Sequence, residues 1–258
     1  MATTTKCFSL FILATCVLCP WAGVAQASPG VQVTVQDSSG HSSGAVDLGI
    51  PWAALEAQLA SEGHATWSLN QEKVDVYSAD PSRTPLGSID DFSVALDADV
   101  YVSLGFSVTA GSAATTFTIT SGTVNANLEN AVADASAGTV LTDPDGDGAT
   151  LTGLYGNRAY RATYNGASST FASLVGDSSV VDDTVTTSER YPASGRETIP
   201  GTVTDIQSAF HFTLSARDLA AGSSTFSLNN LIVPEPATLA LLAFGGIFAL
   251  AVRRRARA

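Results

Sequence analysis

Residues Val100–Val108 read VYVSLGFSV, and this stretch decides the fold. Val100, Val102, Leu104, Phe106 and Val108 occupy every second position, with Ser103, Gly105 and Ser107 between them. Successive side chains of an extended strand point to opposite faces, so period two gives one apolar face and one mostly polar face. The same alternation recurs in VQVTV (Val31–Val35), KVDVY (Lys73–Tyr77), FSVALD (Phe92–Asp97), TTFTIT (Thr115–Thr120) and FHFTLSA (Phe210–Ala216). Further runs are ATLTGLY (Ala149–Tyr155), RAYRATY (Arg158–Tyr164), STFASLV (Ser169–Val175), SVVDDTVTT (Ser179–Thr187) and STFSLNNLIV (Ser224–Val233). Clusters of Gly, Ser, Asp and Pro separate them at hairpin-like spacing.

About a dozen such strands, with no tandem repeat and no long linker, predict one all-β domain. The expected architecture is an antiparallel β-sandwich or jelly-roll-like fold, and periodicity alone does not choose the topology. SAGTVLTDPDGDG (Ser136–Gly148) reads as a loop. One short helix is expected in GIPWAALEAQLASEG (Gly49–Gly63), with Pro51 near its first turn and Gly63 at its end. Trp52, Leu55 and Leu59 share one face at i, i+3 and i+7, so the helix should cover a sheet edge or one end of the sandwich.

The ends of the chain read differently from this body. MATTTKCFSLFILATCVLCPWAGVAQA (Met1–Ala27) has Lys6, then the apolar run Phe8–Leu18, then Ala25-Gln26-Ala27. That order is a signal peptide, with signal peptidase cutting after Ala27. Cys7, Cys16 and Cys19 all lie within it, so residues 28–258 contain no cysteine. The exported body then has no disulfide, thiolate metal site or cysteine nucleophile, and stability rests on its core.

The whole chain carries 24 acidic and 12 basic residues. Lys6 and four terminal arginines account for five of the bases, and Glu235 for one of the acids, leaving 23 acids and 7 bases in residues 28–233. So acidic a body lacks the basic face that nucleic-acid binding needs. It suits a self-repelling exported protein and permits divalent-cation binding.

The sharpest local motif is DPDGDG (Asp143–Gly148). Asp143, Asp145 and Asp147 stand at i, i+2 and i+4, and Gly148 allows a sharp turn, as in the first half of an EF-hand calcium loop. The second half departs from it: Leu154 stands where a glutamate ligand belongs, and the flanks are strands. Two readings stay open, a calcium loop completed by carbonyls or distant acids, and a solvated acidic turn.

LDADVYV (Leu96–Val102) places Asp97 and Asp99 on one face of a predicted strand, a pair that suits acid–base work on a glycoside or simply a solvated face. His41, His64 and His211 are far apart and show no zinc spacing. GLYGNRAYRATYNG (Gly153–Gly166) gathers Tyr155, Tyr160, Tyr164, Arg158 and Arg161, either a polymer-binding face or cross-strand pairing. No nucleophile elbow or phosphate-cradling loop occurs.

The chain closes on VPEPATLALLAFGGIFALAVRRRARA (Val233–Ala258). Residues 237–252 are uncharged, and a helix of that length reaches about 24 Å against a hydrocarbon core of about 30 Å. Arg253, Arg254, Arg255 and Arg257 follow and would stay cytoplasmic by the positive-inside rule, a basic anchor for a single span. Pro234-Glu235-Pro236, the apolar run and the basic end, in that order, resemble the PEP-CTERM sorting signal of Gram-negative bacteria. The resemblance implies recognition of the PEP triplet by an exosortase, removal of the tail, and delivery to the cell surface, outer envelope or extracellular polysaccharide matrix. A plain single-span anchor is the alternative.

The chain is thus expected to comprise a signal peptide (1–27), an exported β domain (28–232) and a sorting signal (233–258). The leading expectation is a non-enzymatic surface or matrix protein with no obligatory cofactor, catalytic residue or nucleic-acid partner. Its expected partners are signal peptidase, an exosortase and, transiently, the membrane. The alternatives are a calcium- or polysaccharide-binding module and a secreted polysaccharide-acting enzyme.

Overall fold

The computed structural model describes residues 30–69 and 73–230. The signal segment with Ala25 and Ala27, and the tail with Pro234, Glu235, Pro236 and Arg253, Arg254, Arg255 and Arg257, lie outside the described residues. In chain order come β1 (Gln32–Asp37), β2 (Ser42–Ala45), the helix α1 (Trp52–Glu62), β3 (His64–Ser68), β4 (Val74–Tyr77), β5 (Pro85–Asp97) and β6 (Tyr101–Ala110). Next are β7 (Thr115–Thr120), β8 (Val124–Glu129), β9 (Val132–Thr142), β10 (Ala149–Gly153), β11 (Arg158–Tyr164) and β12 (Ser169–Gly176). The chain continues through β13 (Ser178–Val180), β14 (Thr184–Tyr191), β15 (Glu197–Thr198), β16 (Thr202–Leu214) and β17 (Leu219–Asn229).

These strands form two antiparallel sheets. The first runs β12-β11-β16-β7-β1-β2, with β8, β10 and β13 attached alongside. The second runs β14-β9-β17-β6-β5-β3, with β4 on β5 and β15 on β9. β16 is the spine of the first sheet: β11 and β10 pair along one side of it, β8 and β7 along the other. β17 is its counterpart in the second, paired with β9 along its full length and with β6 over most of it.

The alternation read in Val100–Val108 is what the core uses. Val102, Leu104, Phe106 and Val108 are buried on one face of β6. Phe106 meets Phe210 at 4.8 Å between ring centroids and Phe212 at 5.7 Å, across the gap between the sheets. Tyr160 stands 5.0 Å from Phe210, and Phe117 lies 5.8 Å from Phe212. Contacts of this kind add to the large apolar area that aromatic side chains bury. Gly222, opposite Phe106 in register, makes room for the ring, since a Cβ there would overlap it.

The helix forms where expected. The Gly63 N–H donates to the Leu59 carbonyl at 3.0 Å with φ +76°, the left-handed turn that glycine adopts without strain. Leu55 is buried, and Trp52 and Leu59 pack half-buried against the core.

Three expectations need correction. Residues 136–142, read as loop, belong to β9, a central strand. Its inward residues are Ala133, Ala135, Ala137, Thr139 and Leu141, and the first three carry little strand propensity of their own. Ala135 stands opposite Phe226, which supplies the volume and stacks on Phe171 at 5.3 Å. SVVDDTVTT is two strands, because the chain leaves the first sheet after Val180 and enters the second at Thr184. Asp99 is not on a strand face: β5 ends at Asp97, whose carboxylate accepts the Asp99 N–H at 2.8 Å and closes the hairpin turn.

Candidate functional site

Three loops at one end of the sandwich carry the chain between sheets: residues 143–148 from β9 to β10, 181–183 from β13 to β14, and 215–218 from β16 to β17. Hydrogen bonds tie the first two together. The Asp143 N–H donates to the Asp183 carbonyl at 3.1 Å, and the Asp182 N–H donates to Asp143 Oδ2 at 2.9 Å. A fourth crossing, from β6 to β7, adjoins them, since the Arg217 N–H donates to the Gly111 carbonyl at 2.8 Å and the Ala110 N–H to the Asp218 carbonyl at 2.9 Å.

The DPDGDG loop folds around its first residue. Asp143 Oδ1 accepts the Gly146 N–H at 2.9 Å, and Oδ2 accepts the Gly148 N–H at 3.0 Å. Gly146 and Gly148 hold φ of +78° and +103°, a path open to glycine and strained for other residues. The Asp182 N–H, followed by those of Gly146 and Gly148, holds the Asp143 carboxyl below its ordinary value against the opposing effect of burial.

Asp143, Asp145 and Asp147 converge, and Asp218 joins them from another loop. One carboxylate oxygen from each of the four lies within 4.8 Å of the others. Asp145 and Asp147 face solvent, whereas Asp143 is 6% exposed and Asp218 0%. Ser215 donates its hydroxyl to Asp218 Oδ2, while Oδ1 is buried with no hydrogen-bond partner. Burial first, then the neighbouring aspartates, pushes the Asp218 carboxyl up despite the Ser215 hydroxyl. The charge of Asp145 is the main cause of the raised Asp147 value. The cation nearest the cluster is Arg217, 3.8 Å from Asp145 and 66% exposed. Asp218 was not legible in the sequence: it sits in Ser-Ala-Arg-Asp, remote from DPDGDG and without acidic spacing of its own.

The aromatic-basic stretch does not form one face. Tyr160 is buried in the core, with its hydroxyl 2.8 Å from Ser208 Oγ. Arg158 leaves the group to pair with Glu189 at 2.6 Å. On the outside, Arg161 lies 4.0 Å over the Tyr155 ring, and Tyr155 meets His211 edge-on at 5.4 Å. Burial, then the Arg161 charge, lowers the His211 value. Buried Tyr160 and the outward stack of Arg161, Tyr155 and His211 thus lie on different sides of the sheet, and Arg161 Nε is buried there without a hydrogen-bond partner among the described residues. Asp97 and Asp99 form a turn, so they do not face each other across a cleft.

The opposite end of β9 is built differently. Asp134 receives Arg190 at 3.1 Å, Arg196 at 3.2 Å and the Ser227 hydroxyl at 2.7 Å.

Comparison with known proteins adds one specific finding. Residues 233–255 match the family model of the PEP-CTERM protein-sorting motif. The chain carries this motif, which implies export, exosortase processing and sorting to the cell surface in Gram-negative bacteria. No curated protein matched the chain. Among solved structures, it is similar to an Arthrobacter globiformis T6 isomalto-dextranase complexed with panose, at 13% identity, over 62% of this chain and 23% of that one, with a TM-score of 0.20. It is also similar to the glycoside hydrolase domain of Endo-D from Streptococcus pneumoniae R6, at 10% identity, over 64% and 21%, with a TM-score of 0.21. The chain spans less than a quarter of either structure, and similarity at this level carries no conclusion. Among the described residues no helix is long and apolar enough to cross a membrane, and residues 237–252 lie outside them.

Proposed function

We propose that the chain is a non-enzymatic protein of the outer envelope or extracellular polysaccharide matrix, delivered there by an exosortase that removes its tail. The motif match at 233–255 carries this reading. The motif begins a few residues beyond Asn229, where β17 ends, so the sandwich is followed almost at once by the sorting signal. Pro234 and Pro236 flank Glu235, and proline disfavours helix at its own and the preceding position, which suits a triplet that a protease must read. The acidic body supports a solvated, self-repelling existence outside the cell, and the turn geometry of Asp97 and Asp99 supports a role without glycoside chemistry.

The test is fractionation of a native host with and without its exosortase, with mass spectrometry of the protein's two ends. The expected mature species begins at Ser28, ends near the PEP triplet and leaves the inner membrane. Without exosortase, or with Glu235→Ala, the tailed form should accumulate in the inner membrane. A surface-located protein that keeps residues 237–258 in the native host would overturn the proposal.

A further inference from the structure

We propose that Asp143, Asp145, Asp147 and Asp218 form a calcium site that ties together two of the loops crossing between the sheets, 143–148 and 215–218. The inference does not rest on the sorting route and concerns the body alone.

Two independent observations carry it. The first is geometric. Oxygens bound to one calcium ion at about 2.4 Å cannot be more than about 4.8 Å apart. The four aspartates bring one oxygen each within that limit of every other. The second is Asp218. Its side chain is fully buried, and Oδ1 has no donor among the described residues. A buried carboxylate oxygen without a hydrogen bond is costly, because it has lost water and gained no partner. Here it is also surrounded by three other carboxylates. Arg217 sits at the rim and faces Asp145, so it leaves most of the negative charge unanswered. A divalent cation would complete the coordination of Asp218 and turn the mutual repulsion of the four groups into attraction.

The donor set selects the metal. Every side chain is a hard oxygen ligand, and residues 28–258 offer no thiolate. Carboxylates in this number suit calcium better than zinc or copper. The glycine-rich path of DPDGDG is adaptable, which suits calcium's variable coordination better than the strict octahedron of magnesium. Exposed Asp145 and Asp147 give the ion its entry, while buried Asp143 and Asp218 anchor it at the ends of β9 and β17, neighbours in the second sheet. Asp143 follows β9, Asp218 precedes β17, and Asp182, beside them, bonds to Asp143 from the loop before β14. The ion would therefore link loops joined to both sheets.

The experiment uses the full chain, purified in detergent and stripped with a chelator. Calcium chloride is titrated by calorimetry and by thermal melting, with magnesium chloride at matched ionic strength as control. Calcium at about a hundredfold above its dissociation constant should raise Tm by roughly 5–10 °C, and magnesium at the same concentration by less. Asp145→Asn and Asp147→Asn, at exposed positions that fold regardless, should each weaken calcium binding by about tenfold or more. Asp218→Asn should melt higher than the parent in chelator, because a buried repelling charge is gone, and lower than the parent in calcium. Absence of heat and of any calcium-dependent Tm shift would overturn the proposal and leave a protonated Asp218 as the explanation of the orphaned oxygen. Calcium binding of parental strength in the Asp145 and Asp147 variants would overturn it equally.

Discussion

The two ends of β9 both carry aspartates, and the chain treats them in opposite ways. At Asp134 two arginines and a serine hydroxyl converge on one carboxylate. Beyond Thr142, four carboxylates converge with only a rim arginine beside them. The body has three times as many acids as bases, so its few arginines cannot answer every acid. Two of them go to Asp134. Four of the unanswered acids gather where loops cross between the sheets, with exposed Asp145 and Asp147 open to an ion from solution.

Substitutions at the core and at each end of β9 separate the two ends. The largest effect should come from the core that both ends share. Phe106→Ala removes a ring that packs on Phe210 and Phe212, and should cost about 3–5 kcal/mol by denaturant unfolding, equally with and without chelator. A calcium-dependent cost would mean that the acidic end and the core are not separable.

Next in size is the pH response of the acidic end. The Asp218 carboxyl titrates above its ordinary value in the folded protein. Its contribution to stability is therefore fully present below the unfolded value of about 3.9 and is lost as pH rises through the raised value. Asp143 has the opposite sign: its contribution is present above the unfolded value and lost as pH falls through the lowered one. Asp143, Asp145, Asp147 and Ser215 face Asp218, Arg217 pairs with Asp145, and all are common to parent and variant. In chelator, the advantage of Asp218→Asn over the parent should therefore be absent near pH 3 and appear as pH rises to 7. Melting curves across that range check it, and a difference constant with pH would contradict the raised value.

Asp134→Ala should cost less, about 1 kcal/mol, because Arg190 and Arg196 are both well exposed and fall back into water. The loss should shrink in high salt and be indifferent to calcium. If instead calcium restored the stability of this variant, the two ends of β9 would be coupled. The smallest effect belongs to the hairpin of β1 and β2, where His41 Nδ1 lies 2.8 Å from Asp37 Oδ2. The Asp37 hydrogen bond, then its charge, raises the His41 value. The stabilisation is present below the unfolded value of about 6.5 and lost as pH rises through the raised value. His41→Gln should lower Tm slightly at pH 5.5 and leave it unchanged at pH 8.5.

Strands announced themselves in the sequence where β-branched or aromatic side chains alternate, as in β6, β7 and β16. β9 stayed hidden because the first three of its inward positions, Ala133, Ala135 and Ala137, are alanines, and a row of alanines spells strand only when a large partner such as Phe226 stands across from it. The division of SVVDDTVTT depends on the two sheets meeting at that point, which no local pattern encodes. DPDGDG was legible as an acidic loop because its spacing is local. Asp218 was not, because only the crossing from β16 to β17 brings it there.

The position of β17 has a consequence for the order of assembly. It is the last strand among the described residues, yet it stands between β9 and β6 in the second sheet. In a chain exported from its N-terminus, as proposed above, β5, β6, β9 and β14 would emerge first, as two half-sheets without their shared neighbour. The gap closes only when Leu219–Asn229 has emerged, and the PEP triplet follows within a few residues. A chain cut short before Leu219 would leave both β9 and β6 with open edges, each a template for pairing with another chain. Completion of the sheet and presentation of the sorting signal are thereby timed together.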